Sequence, residues 1–525
     1  MSVPVDNRVL IILLSFSCFL CLALLLLLLR FKPTSGRSKG KVGKQGRPPP
    51  SPPSLPLIGN LLWLRRPLLD LSPAVRRLAA TYGPVVSLSI GPVPAVFIAD
   101  RRLAHEALVA KGAAFSDRPR PQGANYVYSS DGHVISSASG SLWRLLRRNL
   151  SAEILHPSRL RSYAPGRRWA LGKLLGSLRA EAEANGGVVV LASSFRNAVF
   201  SLMVYMCFGE KLDEKVIRDI MDVQRELLQL ALALNIFDLM PRLAKFVFWK
   251  RWKAFLAIRR RQEDILIPLI RARRDKKLHD KMKHEQPIVS YVDTLLDLEL
   301  PEEGGRKLDD LEIVSLCSEF FNAGTDTTST TLQWVMANLV KFPDIQNKLL
   351  EEIRAVTGDS GDEIKEEQLQ RMTFLNAVIL EALRRHPPAH FLLPHIVSEE
   401  VSLKGYLISK GVAVNVTTAE FGWDETVWKD PMEFKPERFL PGGEGHGVDI
   451  TGSREIKMMP FGAGRRICPG LVLALLHLEC FVANLVREFE WKGVEGEVVD
   501  LSEELEFTVT MKNPLRASIS PWLDR

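Results

Sequence analysis

The 525-residue sequence predicts a mainly α-helical body with small peripheral β-sheets, preceded by one apolar N-terminal helix. Three observations carry that prediction. Apolar residues recur at helical spacing through most of 140–386. Short strand-like runs bounded by Gly and Pro are confined to 85–99, 401–416 and 506–511. Residues 9–29 contain no charge at all. The alternating strand and helix units of a parallel α/β sheet are missing, as are a Walker loop, a G-x-G-x-x-G turn and an H-E-x-x-H helix.

Composition narrows the function classes. At 46% hydrophobic and 25% charged the chain can bury a large core and is not disordered. The net charge of +8 is localised: residues 1–47 hold eight Lys or Arg against Asp6, which leaves +1 for the remainder. A nearly neutral body is a poor partner for nucleic acid. Six cysteines, at 18, 21, 207, 317, 468 and 480, form no disulfide framework and suit a reducing compartment. Cys18 and Cys21 match C-x-x-C only inside an apolar run, where a redox or metal role is not expected.

The elements follow in order. Residues 1–8 are a short lumenal terminus, and Val9–Leu29 forms a helix of about 31 Å, long enough to cross a bilayer core. A cleaved signal peptide is the competing reading, but the apolar run is long and no small-x-small site follows Leu29. The basic flank from Arg30 onward places the body on the cytosolic side, so the sequons at Asn149 and Asn415 should carry no sugar. Residues 30–56 are a basic, proline-rich hinge, and 57–525 form one undivided domain. Within it Ser72-Pro73 reads as a cap and first helical position for a helix to Tyr82, and Gly91-Pro92 as a hairpin turn between Val85–Ile90 and Ala95–Ala99. Helices are predicted over Ser141–Leu150, Asp219–Leu234, Leu311–Leu339, Ile345–Val356 and Phe374–Arg385. Strands follow at Val401–Leu403, Tyr406–Ile408, Val412–Val416 and Glu506–Met511.

The chemistry concentrates in Pro460-Phe461-Gly462-Ala463-Gly464-Arg465-Arg466-Ile467-Cys468-Pro469-Gly470. A Gly-rich loop delivers one Cys to the start of an apolar helix, Leu471–Leu478, with Pro469 at its first position. The helix N-terminus there favours a thiolate. The segment fits F-x-x-G-x-R-x-C-x-G at every fixed position and resembles the haem-binding signature of the cytochrome P450 superfamily. Ala323-Gly324-Thr325-Asp326-Thr327-Thr328 is similar to the family's oxygen-activation motif, Glu381-Ala382-Leu383-Arg384 to its E-x-x-R, Pro436-Glu437-Arg438-Phe439 to its P-E-R-F, and Trp143 with Arg147 to its W-x-x-x-R. In detail the resemblance is to the plant microsomal group.

That resemblance implies the cytochrome P450 fold and a haem b cofactor. The chain would be a monooxygenase that hydroxylates or epoxidises a lipophilic substrate with O2. It implies Cys468 as the axial iron ligand, and Trp143, Arg147, Ala323, Gly324, His395, Phe461, Gly464, Arg466 and Gly470 as cofactor-binding residues. Trp143, Arg147 and His395 would donate to the haem propionates; a lone His such as His395 is more often merely structural. Thr327 and Asp326 would deliver protons across a widened helical turn, and Glu381, Arg384 and Arg438 would form a buried network, although composition alone makes the E-x-x-R a surface pair. Phe321, Asn322, Phe391 and Leu392 would touch substrate, in pocket segments that include 113–138 and 235–249. Phe237, Leu239, Phe246, Phe248 and Trp249 suggest a membrane-dipping surface. Implied partners are a membrane-bound NADPH-cytochrome P450 reductase, which supplies NADPH electrons, and cytochrome b5. The basic residues Arg144, Arg148 and Arg465 are a docking face or merely solvated charges. The implied location is the endoplasmic reticulum membrane, single-pass, with the domain in the cytosol. A haem-thiolate lyase or isomerase working without O2, or a non-catalytic haem-binding scaffold, are the alternatives. Fatty acids, phenolics, terpenoids and pigment breakdown products stay open as substrates, and the plant-type resemblance tilts the expectation toward fatty acyl or similar compounds.

Overall fold

The computed structural model describes residues 46–54, 59–60, 68–90, 93–233, 241–283, 288–358 and 364–522. The apolar span 9–29, Leu57-Ile58, the Gly91-Pro92 turn, and Phe237 and Leu239 lie outside them. The helices that build the body are α1 (Leu68–Tyr82), α2 (Gly123–Tyr128), α3 (Gly140–Asn149), α4 (Ala164–Ala184), α5 (Leu191–Phe208), α6 (Glu214–Ala233), α7 (Trp249–Lys283), α8 (Asp310–Lys341), α9 (Pro343–Thr357), α10 (Thr373–Arg385) and α11 (Leu471–Glu488).

The 32-residue α8 runs through the middle of the core. Asp309 and Glu312 start it with a reciprocal capping box, each carboxylate taking the other's backbone N–H at 2.8 Å. Its apolar faces pack against α5 and α11 in one large cluster that includes Phe195, Phe321, Trp334 and Phe481. Helix α5 is apolar enough to cross a membrane, yet most of it is buried inside this core.

The strands are β1 (Val85–Ile90), β2 (Val93–Ile98), β3 (Val188–Val190), β4 (His395–Ile396), β5 (Val401–Leu403), β6 (Tyr406–Ile408), β7 (Ala413–Val416), β8 (Glu490–Gly493), β9 (Glu503–Leu505), β10 (Val509–Met511) and β11 (Arg516–Ser520). A four-stranded sheet has the order β1-β2-β7-β4, with β2 parallel to β7 (Ala95 opposite Ala413) and the other pairs antiparallel. A three-stranded sheet has the order β8-β11-β3, and β5-β6 and β9-β10 are hairpins. Strands β3, β4, β8 and β11 fall outside the runs that the sequence offers, so the three-stranded sheet is an addition to the expected architecture.

Four local expectations need correction. Helix α1 begins at Leu68 with Pro73 inside it, and the Ser72 hydroxyl donates to Glu420 at 3.0 Å instead of capping. Pro469 precedes the N-cap Gly470 of α11, and that helix continues to Glu488 because Phe481, Val482, Leu485 and Val486 keep one face apolar. Residues 506–508 form the turn of the β9-β10 hairpin rather than a strand; the acids at 503, 504 and 506 had hidden β9. The folded body also starts earlier than residue 57: the Arg47 N–H donates to Gly405 and the Ser87 N–H to Pro50.

Candidate active site

The loop carrying Cys468 is shaped by contacts that only glycine permits. Gly462 and Gly464 have φ of 73° and 71°, and a Cβ on Gly464 would stand 1.8 Å from the Leu108 carbonyl oxygen. Leu108 lies in a π-helical turn, Glu106–Ala110, so two irregular segments meet here. The Cys468 N–H donates to the Phe461 carbonyl at 2.8 Å, closing the loop over the sulfur. Leu392 covers the loop beside Gly462.

Helix α11 and the Gly470 N–H point at the sulfur as expected, but the thiol does not ionise more easily for it. Burial pushes the Cys468 thiol upward, and the Gly470 N–H and the Arg147 charge oppose this only in part. Desolvation outweighs the helix terminus here, so the thiolate needs a cation bound to it.

Beside this loop sit three buried or half-buried guanidinium groups whose described bonds go to carbonyls. Arg466 donates to Ser116, Ile135 and Ala138 at 2.7, 3.2 and 2.7 Å, and stacks 4.1 Å from the Trp143 ring centroid. Arg147 donates to Ile467 at 2.6 Å. Arg118 donates to Leu393 and Pro394 at 2.6 and 2.8 Å, with its Nε buried and unpartnered. Burial, with Arg466 close by, brings Arg118 down to about 9; burial, aided by Arg147 and resisted by Asp117, brings Arg466 to about 10. The Trp143 indole N–H is likewise buried without a partner. Desolvated cations and an orphaned donor are costly until an anion meets them. Two carboxylates on the edge of a flat, iron-bearing ring, with the metal over Cys468, fit this donor set.

His395 does not fit the donor role expected of it. Its Nδ1 faces the Phe115 carbonyl at 2.5 Å, so the single proton sits there and Nε2 is left as an acceptor. Burial and the charges of Arg118 and Arg466 bring it down to about 3, against a second proton. Arg118, missed from the sequence because an Arg-Pro pair in a loop has no periodic signal, supplies the third cation instead.

On α8, Ala323 is exposed and Thr327 half-buried one turn on, both opening the same face of the helix. The helix is unbroken across this segment. The expected disturbance takes the form of hydroxyl bonds to carbonyls four residues back, Thr327 to Ala323 at 2.7 Å and Thr331 to Thr327 at 2.9 Å. Gly324 lets Met203 of α5 pack against α8; a Cβ there would lie 2.2 Å from the Met203 methyl. Asp326 faces Arg196 of α5, with Nε 3.3 Å from Oδ1, and Arg196 also reaches Glu506 at 3.9 Å. Burial pushes the Asp326 carboxyl up; Arg196 pulls it down and Glu506 adds to the rise. Arg196 was legible as the lone charge in an apolar helix.

The E-x-x-R pair is no surface pair. Glu381 and Arg384 are fully buried, joined at 2.6 and 2.8 Å, and Arg438 adds a third bond to Glu381 at 3.2 Å. Arg384 also donates to Gly422 at 2.5 Å, and the Lys435 N–H to Glu381 at 2.8 Å, so the network staples α10 to the segment before the Cys468 loop.

Of the expected substrate contacts, Asn322 lines a cavity and its amide donates to the Tyr128 hydroxyl at 2.9 Å. Phe391 packs edge-to-face on Phe97 at 6.1 Å, at the rim of the four-stranded sheet. Phe321 is misplaced in the expectation. It lies about 200° around α8 from Ala323 and is buried in the core, its ring 5.5 Å from that of Phe200. Phe246, Val247 and Trp249 are exposed together, as a surface-dipping segment requires.

The chain is similar to known proteins along most of its length. The cytochrome P450 family model matches residues 49–519. Cytochrome P450 89A9 of Arabidopsis thaliana is 47% identical over 89% of this chain and 92% of its own length. Flavonoid 3'-monooxygenase of the same plant is 32% identical over 89% and 90%, and geraniol 8-hydroxylase of Catharanthus roseus 32% over 88% and 92%. A zebra fish cytochrome P450 structure, solved with progesterone, superposes with a TM-score of 0.70 at 23% identity over 86% of this chain and 99% of that one.

Proposed function

The chain belongs to the cytochrome P450 family and is a haem-thiolate monooxygenase of plant type; from that premise we propose that it works from the endoplasmic reticulum membrane on a lipophilic substrate, fed by NADPH through a membrane-bound reductase, with cytochrome b5 as a second donor. The observation that carries the site assignment is the ring of desolvated donors around Cys468: the Arg118, Arg147 and Arg466 guanidiniums and the unpartnered Trp143 N–H. The anchor is assigned to residues 9–29, the lumenal terminus to 1–8, the hinge to the basic stretch that begins at residue 30, and the catalytic domain to the chain from Arg47 onward, where the first bonds to the body are made. The basic flank behind residue 29 supports a cytosolic domain.

In this reading Cys468 holds the iron, and Trp143, Arg118, Arg147 and Arg466 hold the carboxylates of the ring. Phe461, Gly464 and Gly470 shape the sulfur's pocket, Ala323 keeps the opposite face open while Gly324 faces Met203 of α5 instead of the cofactor, and Glu381, Arg384 and Arg438 brace the loop. The bound haem supplies the iron at which O2 is reduced and one oxygen atom passed to substrate. Thr327 holds its hydroxyl proton toward Ala323 until a better acceptor arrives, and Asp326, between Arg196 and Glu506, replaces that proton from solvent. Asn322, Phe391 and Leu392 remain as substrate-side residues. Relatives named for a flavonoid and for geraniol support phenolic and terpenoid substrates beside fatty acyl ones.

The test is a reduced, carbon-monoxide-minus-reduced spectrum of membranes holding the full chain, with Cys468→Ala as control. A thiolate-type Soret band lost in the variant is expected. An imidazole-type band in folded protein overturns the ligand assignment. NADPH-dependent oxygen consumption with added reductase separates this reading from the lyase and scaffold alternatives, which predict none.

A further inference from the structure

Seven buried or half-buried polar side chains link α2, α6, α7 and α8, and their donor order has one direction. Arg259 of α7 can only donate, and its Nη1 does so to Gln262 Oε1 at 2.6 Å. That turns Gln262 Nε2 onto Ser318 Oγ at 2.9 Å. Ser318 passes its hydrogen to Gln224 Oε1 at 2.7 Å. The chain of bonds ends with the Gln224 Nε2 donor, which is buried and has no partner. Ser315 takes a second bond from Arg259 at 2.9 Å, and Asn322 and Ser318 both meet the Tyr128 hydroxyl, so the orientation is braced along its length.

Gln224 lines a cavity of about 210 Å3 between α5, α6, α8 and the turn of the β9-β10 hairpin. Thr325, whose hydroxyl is also buried and unpartnered, lines the same cavity. Its charges balance: Arg196 and Arg225 face Asp326 and Glu506. Phe200, Met221, Leu228 and Phe507 complete an apolar wall. A charged ligand group would upset that balance, and a pure hydrocarbon would leave two buried donors unmet. An uncharged acceptor oxygen on an apolar body satisfies both conditions.

We propose that this cavity is a substrate subsite that reads a neutral carbonyl oxygen (ketone, ester or amide), which accepts from Gln224 Nε2 and the Thr325 hydroxyl. The proposal rests on the monooxygenase reading and narrows its lipophilic substrate to one bearing such an oxygen. Asn322 and Asp326 lie on α8 between Thr325 and the face that Ala323 and Thr327 open, so the cavity flanks that face and a group anchored here limits where the rest of the substrate sits.

The test uses haem-loaded full-length protein, titrated with 2-dodecanone, n-dodecane and dodecanoate while the Soret band is followed. The ketone is expected to bind about fivefold to tenfold more tightly than the hydrocarbon, with dodecanoate no tighter than the ketone. In Gln224→Leu, and independently in Thr325→Val, the ketone's advantage shrinks toward one. Equal binding of ketone and hydrocarbon, or binding of neither, means that only water uses the cavity and overturns the proposal. So does a preference that survives both substitutions, or tighter binding of the carboxylate. A retained thiolate band beside any of these results marks the failure as the subsite's, whereas a missing band marks the failure of the monooxygenase reading.

Discussion

Arg196 Nε lies 3.3 Å from Asp326 Oδ1 while the same guanidinium reaches Glu506 at 3.9 Å, so one cation is divided between two carboxylates. Burial and Glu506 raise the Asp326 carboxyl, and Arg196, with Arg225 behind it, limits that rise. In Arg196→Gln that carboxyl rises further. The limb of the pH–rate profile that Asp326→Asn abolishes should move to higher pH by about one unit. A limb that stays in place would remove Asp326 from proton delivery.

The Thr327 hydroxyl is parked on the Ala323 carbonyl at 2.7 Å, within the helix that it serves. Thr327→Ala should cut product per NADPH by about tenfold while NADPH oxidation continues. Thr327→Ser keeps the hydroxyl and should retain most of the coupling. Equal coupling in Thr327→Ala and the parent refutes the relay role.

Gly464 cannot acquire a side chain without moving the Leu108 carbonyl, and its φ of 71° adds backbone strain. Gly464→Ala should destabilise the protein by about 3 kcal/mol or more and abolish the thiolate-type spectrum. Gly493→Ala, with nothing within 4 Å of the new Cβ, should keep that spectrum.

Arg118 and His395 separate two accounts of how the cofactor's carboxylates are held. Arg118→Gln should speed haem loss to a scavenging apoprotein by about tenfold, the loss of one charge-assisted bond. His395→Gln, which replaces a donor already committed to the Phe115 carbonyl, should change that rate by less than about threefold. The reverse ranking would restore His395 to the role that the sequence suggests.

His386 is buried, stacked on Trp334 at 4.1 Å, and brought down to about 4 mainly by burial. Its unfolded form takes a proton near 6.5, before the folded form does. Its contribution to stability is therefore complete above pH 6.5 and is lost as pH falls toward 4, by about 3 kcal/mol. Glu503, drawn down to about 2 with His386 and His390 beside it, loses its share in a lower window, from about 4.5 to 2. His386→Phe keeps the stack and should flatten the thermal-stability curve between pH 6.5 and 4; an unchanged slope there contradicts the assignment.

The helices and the Cys468 loop were legible because their signals are local: apolar spacing for α3, α8, α9 and α10, and for the loop a short stretch that matches a family signature at every fixed position. The residues that escaped are those defined by contacts across the chain. Arg118 has significance only beside Arg466, 348 positions away, and Gln224 only through Ser318 and Gln262. His395 illustrates the opposite error, since its position in the sequence was read correctly while its proton was placed by a carbonyl no sequence pattern shows. Phe321 failed for a simpler reason: an apolar residue two places from an open helix face points the other way.

The pairing of β2 with β7 and of β3 with β11 also sets a timetable for making the protein. Residues 95–98 wait for 413–416, and 188–190 wait for 516–518, before either sheet is complete. Such distant pairings form slowly and late. Cys468 itself emerges only after nine-tenths of the chain has been synthesised. Helices α4 to α8 are therefore made before the strands that complete either sheet, and the loop that carries Cys468 is made between the two completions.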